Sequence, residues 1–86
     1  MISHMNEEIS VITIYDADTR SNKPVVMKWR GKKYKIEKVA FYHPVRIGRV
    51  LHHVYSVSAG AMDYRLDLNS ENQNWLLTEA SDGFAD

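Results

Sequence analysis

Apolar and polar residues alternate with a period of two over several stretches of this chain, which is the pattern of half-buried β-strands. The clearest stretch is 61–68, in which every even-numbered residue from Met62 to Leu68 is apolar. The stretches with this alternation, or with many β-branched residues, are 9–15, 24–42, 50–59, 61–68 and 74–79. They predict an all-β domain, built as a small, strongly curled antiparallel sheet or barrel of five or six strands.

The longest alternating stretch, residues 24–42, predicts a β-hairpin with Gly31-Lys32 at its tip. Glycine at the first position of a two-residue turn takes a positive φ at no steric cost, which fits a type II′ turn. This register pairs Trp29 with Tyr34, and it separates an apolar face from a basic one. The apolar face, which predicts the core, consists of Met27, Trp29, Tyr34 and Ile36. The basic face consists of Lys28, Arg30, Lys33 and Lys35.

The segment after the hairpin is less regular. The apolar phase changes by one between Ile36 and Val39, which predicts a β-bulge near Glu37-Lys38. Residues 43–49 contain one proline and one glycine, and they predict a loop or a sharp bend.

Residues 70–80 fit two structures. As a strand, the segment would close the sheet with Trp75 and Leu77 pointing inward. As a helix, it would begin with the capping box Ser70-x-x-Gln73. The β character of the remaining chain favours the strand.

The length of 86 residues corresponds to one small domain, for which we predict the bounds 8–80. Residues 1–7 include Ser3-His4-Met5 and predict a disordered N-terminal segment or an expression remnant. Residues 81–86 predict an acidic tail.

Composition narrows the function classes. The chain has no cysteine, which excludes disulfides, thiolate metal sites and cysteine nucleophiles. No apolar run approaches the ~18 residues that span a bilayer, and no signal peptide is visible. The sequence therefore predicts a cytoplasmic protein with no membrane partner.

Catalytic motifs are missing from the sequence. It has no Gly-x-Ser-x-Gly, no phosphate-binding glycine loop and no His-Glu-x-x-His. His52 and His53 are adjacent on a predicted strand and face opposite ways, so at most one could join His43. Because zinc needs at least three protein ligands, we predict no metal site. Because catalytic motifs are missing, we also predict no cofactor and no enzymatic activity.

The net charge of zero hides a strong asymmetry along the chain. Residues 1–22 carry a charge of −3, residues 23–53 a charge of +8, and residues 54–86 a charge of −5. Such a distribution marks a surface for a polyanion, unless the acidic segments fold against the basic one and neutralise it. Both outcomes stay open at the level of sequence.

Two binding functions follow from the basic segment. The first is a non-catalytic module that contacts nucleic-acid phosphates, because small barrels that bind single strands use cations along the backbone. Its predicted contacts are Lys28, Arg30, Lys33, Lys35, Arg46 and Arg49. The alternative is a protein-interaction or self-association module, whose basic hairpin meets an acidic segment of a partner or of a second copy in a homodimer.

The hairpin carries the pattern Pro24-Val25-x-x-x-Trp29-x-Gly31-x-x-Tyr34-x-Ile36-x-x-Val39. With Trp75-Leu76-Leu77 as a late aromatic-Leu strand, this pattern resembles a family of small prokaryotic β domains of unknown function. Some relatives in that family are associated with DNA-repair polymerases. The resemblance implies a β fold and favours the nucleic-acid hypothesis, and it implies no activity and no site residues.

Overall fold

A computed structural model describes residues 2–82, which form one antiparallel sheet and contain no helix. The strands are β1 (Ile2–Asp16), β2 (Ser21–Trp29), β3 (Lys32–Lys35), β4 (Lys38–Ile47), β5 (Val50–Ala59), β6 (Met62–Asn69) and β7 (Trp75–Ser81). The all-β prediction is confirmed. The sheet has seven strands instead of five or six, because the second arm of the hairpin is divided into β3 and β4.

The sheet curls because its two edges are consecutive in the chain. The strand order is β3-β2-β1-β7-β6-β5-β4, so β3 and β4 form opposite edges. At their junction the Ile36 amide donates to the Val25 carbonyl at 2.9 Å, and the Glu37 amide donates to the Ser58 carbonyl at 2.8 Å. The chain thus changes its hydrogen-bonding partner from β2 to β5 within two residues, which draws the edges together into a half-barrel.

The core fills the concave side of this half-barrel. Met27, Leu66 and Leu77 have no exposed surface, and Val57 is almost as fully buried. The other members of the core cluster are Ile36, Tyr55, Ala59, Tyr64 and Ala80. Trp29 and Tyr34 pack against this cluster, and both rings contact Tyr64 with centroids about 6 Å apart. The prediction that the apolar face of the hairpin builds the core is therefore confirmed.

The hairpin turn lies one residue earlier than predicted. β2 pairs Trp29 with Lys32 and Met27 with Tyr34, which leaves Arg30-Gly31 as the two turn residues. Both have positive φ, 53° for Arg30 and 79° for Gly31, as a type I′ turn requires. The predicted type II′ turn at Gly31-Lys32, and with it the pairing of Trp29 with Tyr34, is wrong. The register moves by two residues, so the paired side chains keep their predicted faces, and Arg30 leaves the basic face for the turn.

The segment 43–49 is also different from the prediction. β4 continues through Pro44 to Ile47, and only Gly48-Arg49 form the turn to β5. The predicted loop or bend is wrong because β4 is an edge strand, where a proline is tolerated without the loss of a ladder bond. The bulge of β4 lies between Val39 and Phe41.

The terminal strands lie side by side in the middle of the sheet. Residues 70–80 form a turn and most of β7, so the strand is confirmed and the helix is wrong. β1 begins at Ile2, opposite Ser81, and residues 2–7 belong to the sheet where a disordered segment was predicted. Residues 2–7 are part of the sheet because the backbone of β7 supplies hydrogen-bond partners to them. Of the predicted acidic tail, residues 83–86 lie outside the described chain.

Candidate functional site

Four lysines of β2 and β3 lie on the convex side of the sheet, and we call them the lysine face: Lys23, Lys28, Lys33 and Lys35. Lys28 is directly opposite Lys33, and Lys35 is opposite Val26 in the next row. A bulge in the β1–β2 pairing, between Ile12 and Thr13, shifts the phase of β2, so Lys23 and Lys28 both point away from the buried Pro24 and Met27. All four lysines are exposed, and the structure gives none of them an ion pair within residues 2–82.

Arg30 does not belong to this face. It lies in the turn, and its Nη2 donates to Glu7 Oε2 at 2.7 Å while Nε donates to Oε1 at 3.3 Å. Its guanidinium also covers the Trp29 ring, 4.8 Å from the centroid. Trp29 Nε1 donates to the same carboxylate at 3.0 Å. These bonds from Arg30 and Trp29 hold the pKa of Glu7 below its ordinary value. Arg30 is therefore neutralised within the chain.

Arg46 and Arg49 are exposed, but neither lies on β2 or β3. Arg46 stands near the end of β4, and Arg49 stands in the following turn. Arg46 is opposite Leu51, on the concave side of the sheet, whereas the lysine face is convex. The six predicted contacts are therefore not one surface: the structure keeps Lys28, Lys33 and Lys35 together and adds Lys23.

The acids of β6 and β7 do not cover the lysine face. Asp63 accepts a hydrogen bond from the Ser58 hydroxyl at 2.7 Å. Asp67 bonds the His52 ring at 2.8 Å, and Arg65 donates to Glu79 at 2.8 Å. Each of these acids thus has a partner on a neighbouring strand. The alternative in which the C-terminal acids neutralise the basic hairpin is wrong for these three residues.

Aliphatic side chains share the convex side with the lysines. Ile12 is opposite Val26, and Ile14 is opposite Lys23. Ile12 is 57% exposed and Ile14 is 51% exposed. The lysine face is therefore a mixed surface, with an apolar strip on β1 beside the cations of β2 and β3. This strip was not predicted, because residues 9–15 were assigned to a strand but not to the two sides of the sheet.

The three histidines of β4 and β5 do not form a metal site. His43 and His52 belong to the convex side and His53 to the concave side, in line with the alternation of β5. His52 is taken by Asp67, and the buried Nδ1 of His43 has no hydrogen-bond partner. Residues 2–82 contain no group of three or more His, Asp or Glu side chains that could hold a metal ion. The same part of the chain contains no helix that could span a membrane.

A groove opens along the edge of β2 that β3 leaves unpaired, between the β1–β2 turn and β4. Its volume is about 560 Å³. Tyr42, Tyr55 and His53 line one wall, and polar residues of the β1–β2 turn and of early β2 line the other. Tyr42 is an exposed ring at this site.

Comparison with known proteins adds no relative: no family model matches this chain, and neither a curated protein nor a solved structure matches it significantly. The resemblance to small prokaryotic β domains stays a prediction from the hairpin motif.

Proposed function

We propose that this domain is a non-catalytic binding module whose lysine face contacts the phosphate backbone of nucleic acid. The observation that carries the proposal is the direct pairing of Lys28 with Lys33, with Lys35 beside them and no acid of residues 2–82 bonded to any of the three. The proposal fits the cytoplasmic location that the sequence predicts.

The physical argument is the cost of this arrangement. Like charges directly opposite each other on one face of a sheet are destabilising, so a sheet without a ligand gains nothing from them. A bound polyanion removes the repulsion and releases counterions from the phosphates. Lysine ammonium groups on flexible stems act as point charges, so they position a backbone and do not read bases. The proposed binding is therefore independent of sequence.

The test is a titration of labelled oligonucleotides over a salt series. If three lysines contact three phosphates, log K should fall with log[salt] with a slope of about −2 for single strands and about −3 for duplex. Replacing Lys28, Lys33 and Lys35 with Gln should remove most of this slope and most of the affinity.

The matched control for the triple variant is Lys32→Gln. Lys32 is in the same short strand and is equally exposed, but it is opposite Trp29, on the concave side. We expect it to keep the binding of the unchanged protein. No binding at low salt, or equal losses in the triple variant and in the control, would contradict the proposal.

A second candidate function is protein interaction, through an acidic partner segment or a second copy of this chain. The observation that favours it is the exposed strip of Ile12 and Ile14 beside the lysines, since phosphates make no use of aliphatic side chains. Ile12→Ser should then weaken the association as much as Lys28→Gln does. Sedimentation equilibrium at increasing protein concentration tests the homodimer, and a monomer at all concentrations would exclude self-association.

A further inference from the structure

The groove between the β1–β2 turn and β4 exists because β3 is short. β3 pairs with β2 only over Val26–Trp29, and its last bridging bond reaches Val25. The earlier residues of β2, Ser21 to Pro24, therefore pair with no strand of residues 2–82 on that side, and they face the beginning of β4 across an opening. The half-barrel is closed by hydrogen bonds at the β3–β4 junction and open at this groove.

One wall of the groove is aromatic. The Tyr42 and His53 rings lie side by side and nearly parallel, with centroids 5.9 Å apart and an interplanar angle of 18°. The Tyr42 hydroxyl bonds His53 Nδ1 at 2.7 Å, and the Tyr55 ring lies 5.0 Å away on the neighbouring strand. Val39 and Leu68 complete this wall. Tyr42 is 44% exposed, so the wall presents a partly exposed flat ring whose hydroxyl is already bonded to His53.

The opposite wall is polar and carries two cations, Arg20 and Lys23, and one acid, Asp16, whose Oδ1 accepts from the Asp18 amide at 2.9 Å, so its net charge is positive. Arg20 lies in the β1–β2 turn at a φ of 54°, and it has no ion pair in the described chain. Asn22 and the paired hydroxyls of Thr19 and Ser21 line the space between the cations. Lys23 also belongs to the lysine face, so the groove and that face are connected around the open edge of β2.

We infer that this groove takes one unpaired base of a single-stranded nucleic acid, which stacks on Tyr42 while its phosphate meets Arg20 and Lys23. The inference rests on the proposed function and narrows its ligand from nucleic acid in general to single strands. A nucleotide has an aromatic plane and an anionic phosphate, and the two walls match these two parts. A base in a duplex is stacked between its neighbours and does not reach such a groove.

The opening could also receive a β-strand of a partner, paired with the edge of β4, but the structure favours this less. The exposed edge of β4 contains three features that protect sheet edges against a further strand, namely the charge of Lys38, the bulge at Ala40 and the proline at position 44. A side-chain platform is compatible with all three, because it needs no backbone donors from the edge.

The experiment compares three labelled probes of equal length: a single-stranded thymidine oligonucleotide, the same backbone with abasic sites, and a duplex. The unchanged protein should bind the single strand more tightly than the abasic strand or the duplex. Tyr42→Ala should weaken single-strand binding about 5- to 150-fold, which is the usual value of one stacked base, and should leave the abasic strand unaffected. Phe41→Ala, which removes a neighbouring exposed ring on the convex side of β4, is the control and should bind like the unchanged protein.

Arg20→Gln provides a second variant that leaves the core untouched, since Arg20 is exposed in a turn. It should reduce the single-strand salt slope by about one contact, close to 0.7, whether or not Tyr42→Ala folds. Equal effects of Tyr42→Ala on the single strand and on the abasic strand would overturn the inference.

The two proposals fail in different ways. If all three probes bind equally and the lysine variants still weaken them, the lysine face stands and the groove inference is wrong. If no probe binds at low salt, both are wrong.

Discussion

The convex surfaces of the two halves of this sheet both carry several charges, but the charges are paired in one half and, within the described chain, unpaired on the lysine face of the other. On β5, β6 and β7, Asp67 is bonded to His52 and Glu79 is bonded to Arg65, each at 2.8 Å. On β2 and β3, Lys28 and Lys33 are opposite each other, and neither has an ion pair within residues 2–82. The charge of a segment therefore indicates a partner only after the pairs made inside the fold have been subtracted.

The largest expected effect concerns the core that the two surfaces share. Met27 lies beneath the lysine face and Leu66 beneath the acidic strands, and neither has exposed surface. Met27→Ala and Leu66→Ala should each lower the free energy of unfolding by about 2–5 kcal/mol. Urea denaturation should show one transition in both variants. A separate early transition in Met27→Ala would mean that the comparison is between two folding units.

The next effect separates a paired charge from an unpaired one. His52 and Asp67 are only 14% and 17% exposed, so Asp67→Ala should lower the free energy of unfolding by about 1–3 kcal/mol. Lys35→Ala on the lysine face should change it by less than about 0.5 kcal/mol. The measurement is again urea denaturation, and equal losses in the two variants would remove the distinction between the surfaces.

A smaller effect of opposite sign is expected from charge reversal on the lysine face. Lys33→Glu places an opposite charge against Lys28 and should raise the free energy of unfolding by about 0.2–1 kcal/mol. The gain should shrink in high salt, since the pair is exposed. Lys32→Glu, opposite Trp29, is the control and should show no such gain. A loss of stability in Lys33→Glu would show that Lys28 and Lys33 do not repel each other.

The smallest effect concerns Arg30, the hairpin cation that pairs with Glu7 of β1. Hydrogen bonds from Arg30 and Trp29 hold the pKa of Glu7 below its ordinary 4.5, so the folded state binds fewer protons there than the unfolded state. Glu7 therefore stabilises the fold above about pH 4.5, and this contribution is lost as the pH falls through the lowered pKa. Glu7→Gln should be slightly less stable than the unchanged protein at pH 7.

The same pair of proteins, followed by urea denaturation from pH 7 to pH 2, should converge in stability at the acid end. A difference that is constant over this range would contradict the link to Glu7 ionisation.

The faces of the hairpin were predictable from the sequence, and its register was not. Alternation alone decides which side chains share a face, and a shift by two residues preserves it. One glycine at position 31 fits a type II′ turn that begins there and a type I′ turn that ends there. The structure has the second, in which Arg30 meets Glu7 from a strand 23 residues away. Because the two residues are far apart in the sequence, no rule based on neighbouring residues predicts that contact.

The candidate site was predictable to the same extent. Lys28, Lys33 and Lys35 lie on adjacent strands joined by a tight turn, so their neighbourhood follows from local pattern. Arg46 was assigned to the same site because it lies in the basic segment 23–53, whereas in the fold it stands near the end of β4, at the edge opposite β3. The groove depends on β2 facing β4, and this follows only from the complete strand order.

The change of partner at Ile36–Glu37 has a consequence for how the chain folds. Taken from β4 through β7 and on to β1, β2 and β3, the strand order is a simple meander in which only the pairing of β7 with β1 is non-local. That pair joins Ile2 to Ser81 and gives the fold a high contact order, which slows folding. A circular permutant opened between residues 36 and 37, with a linker between the two old ends, would have only neighbouring strands to pair. It should fold faster than the original chain while keeping the same sheet.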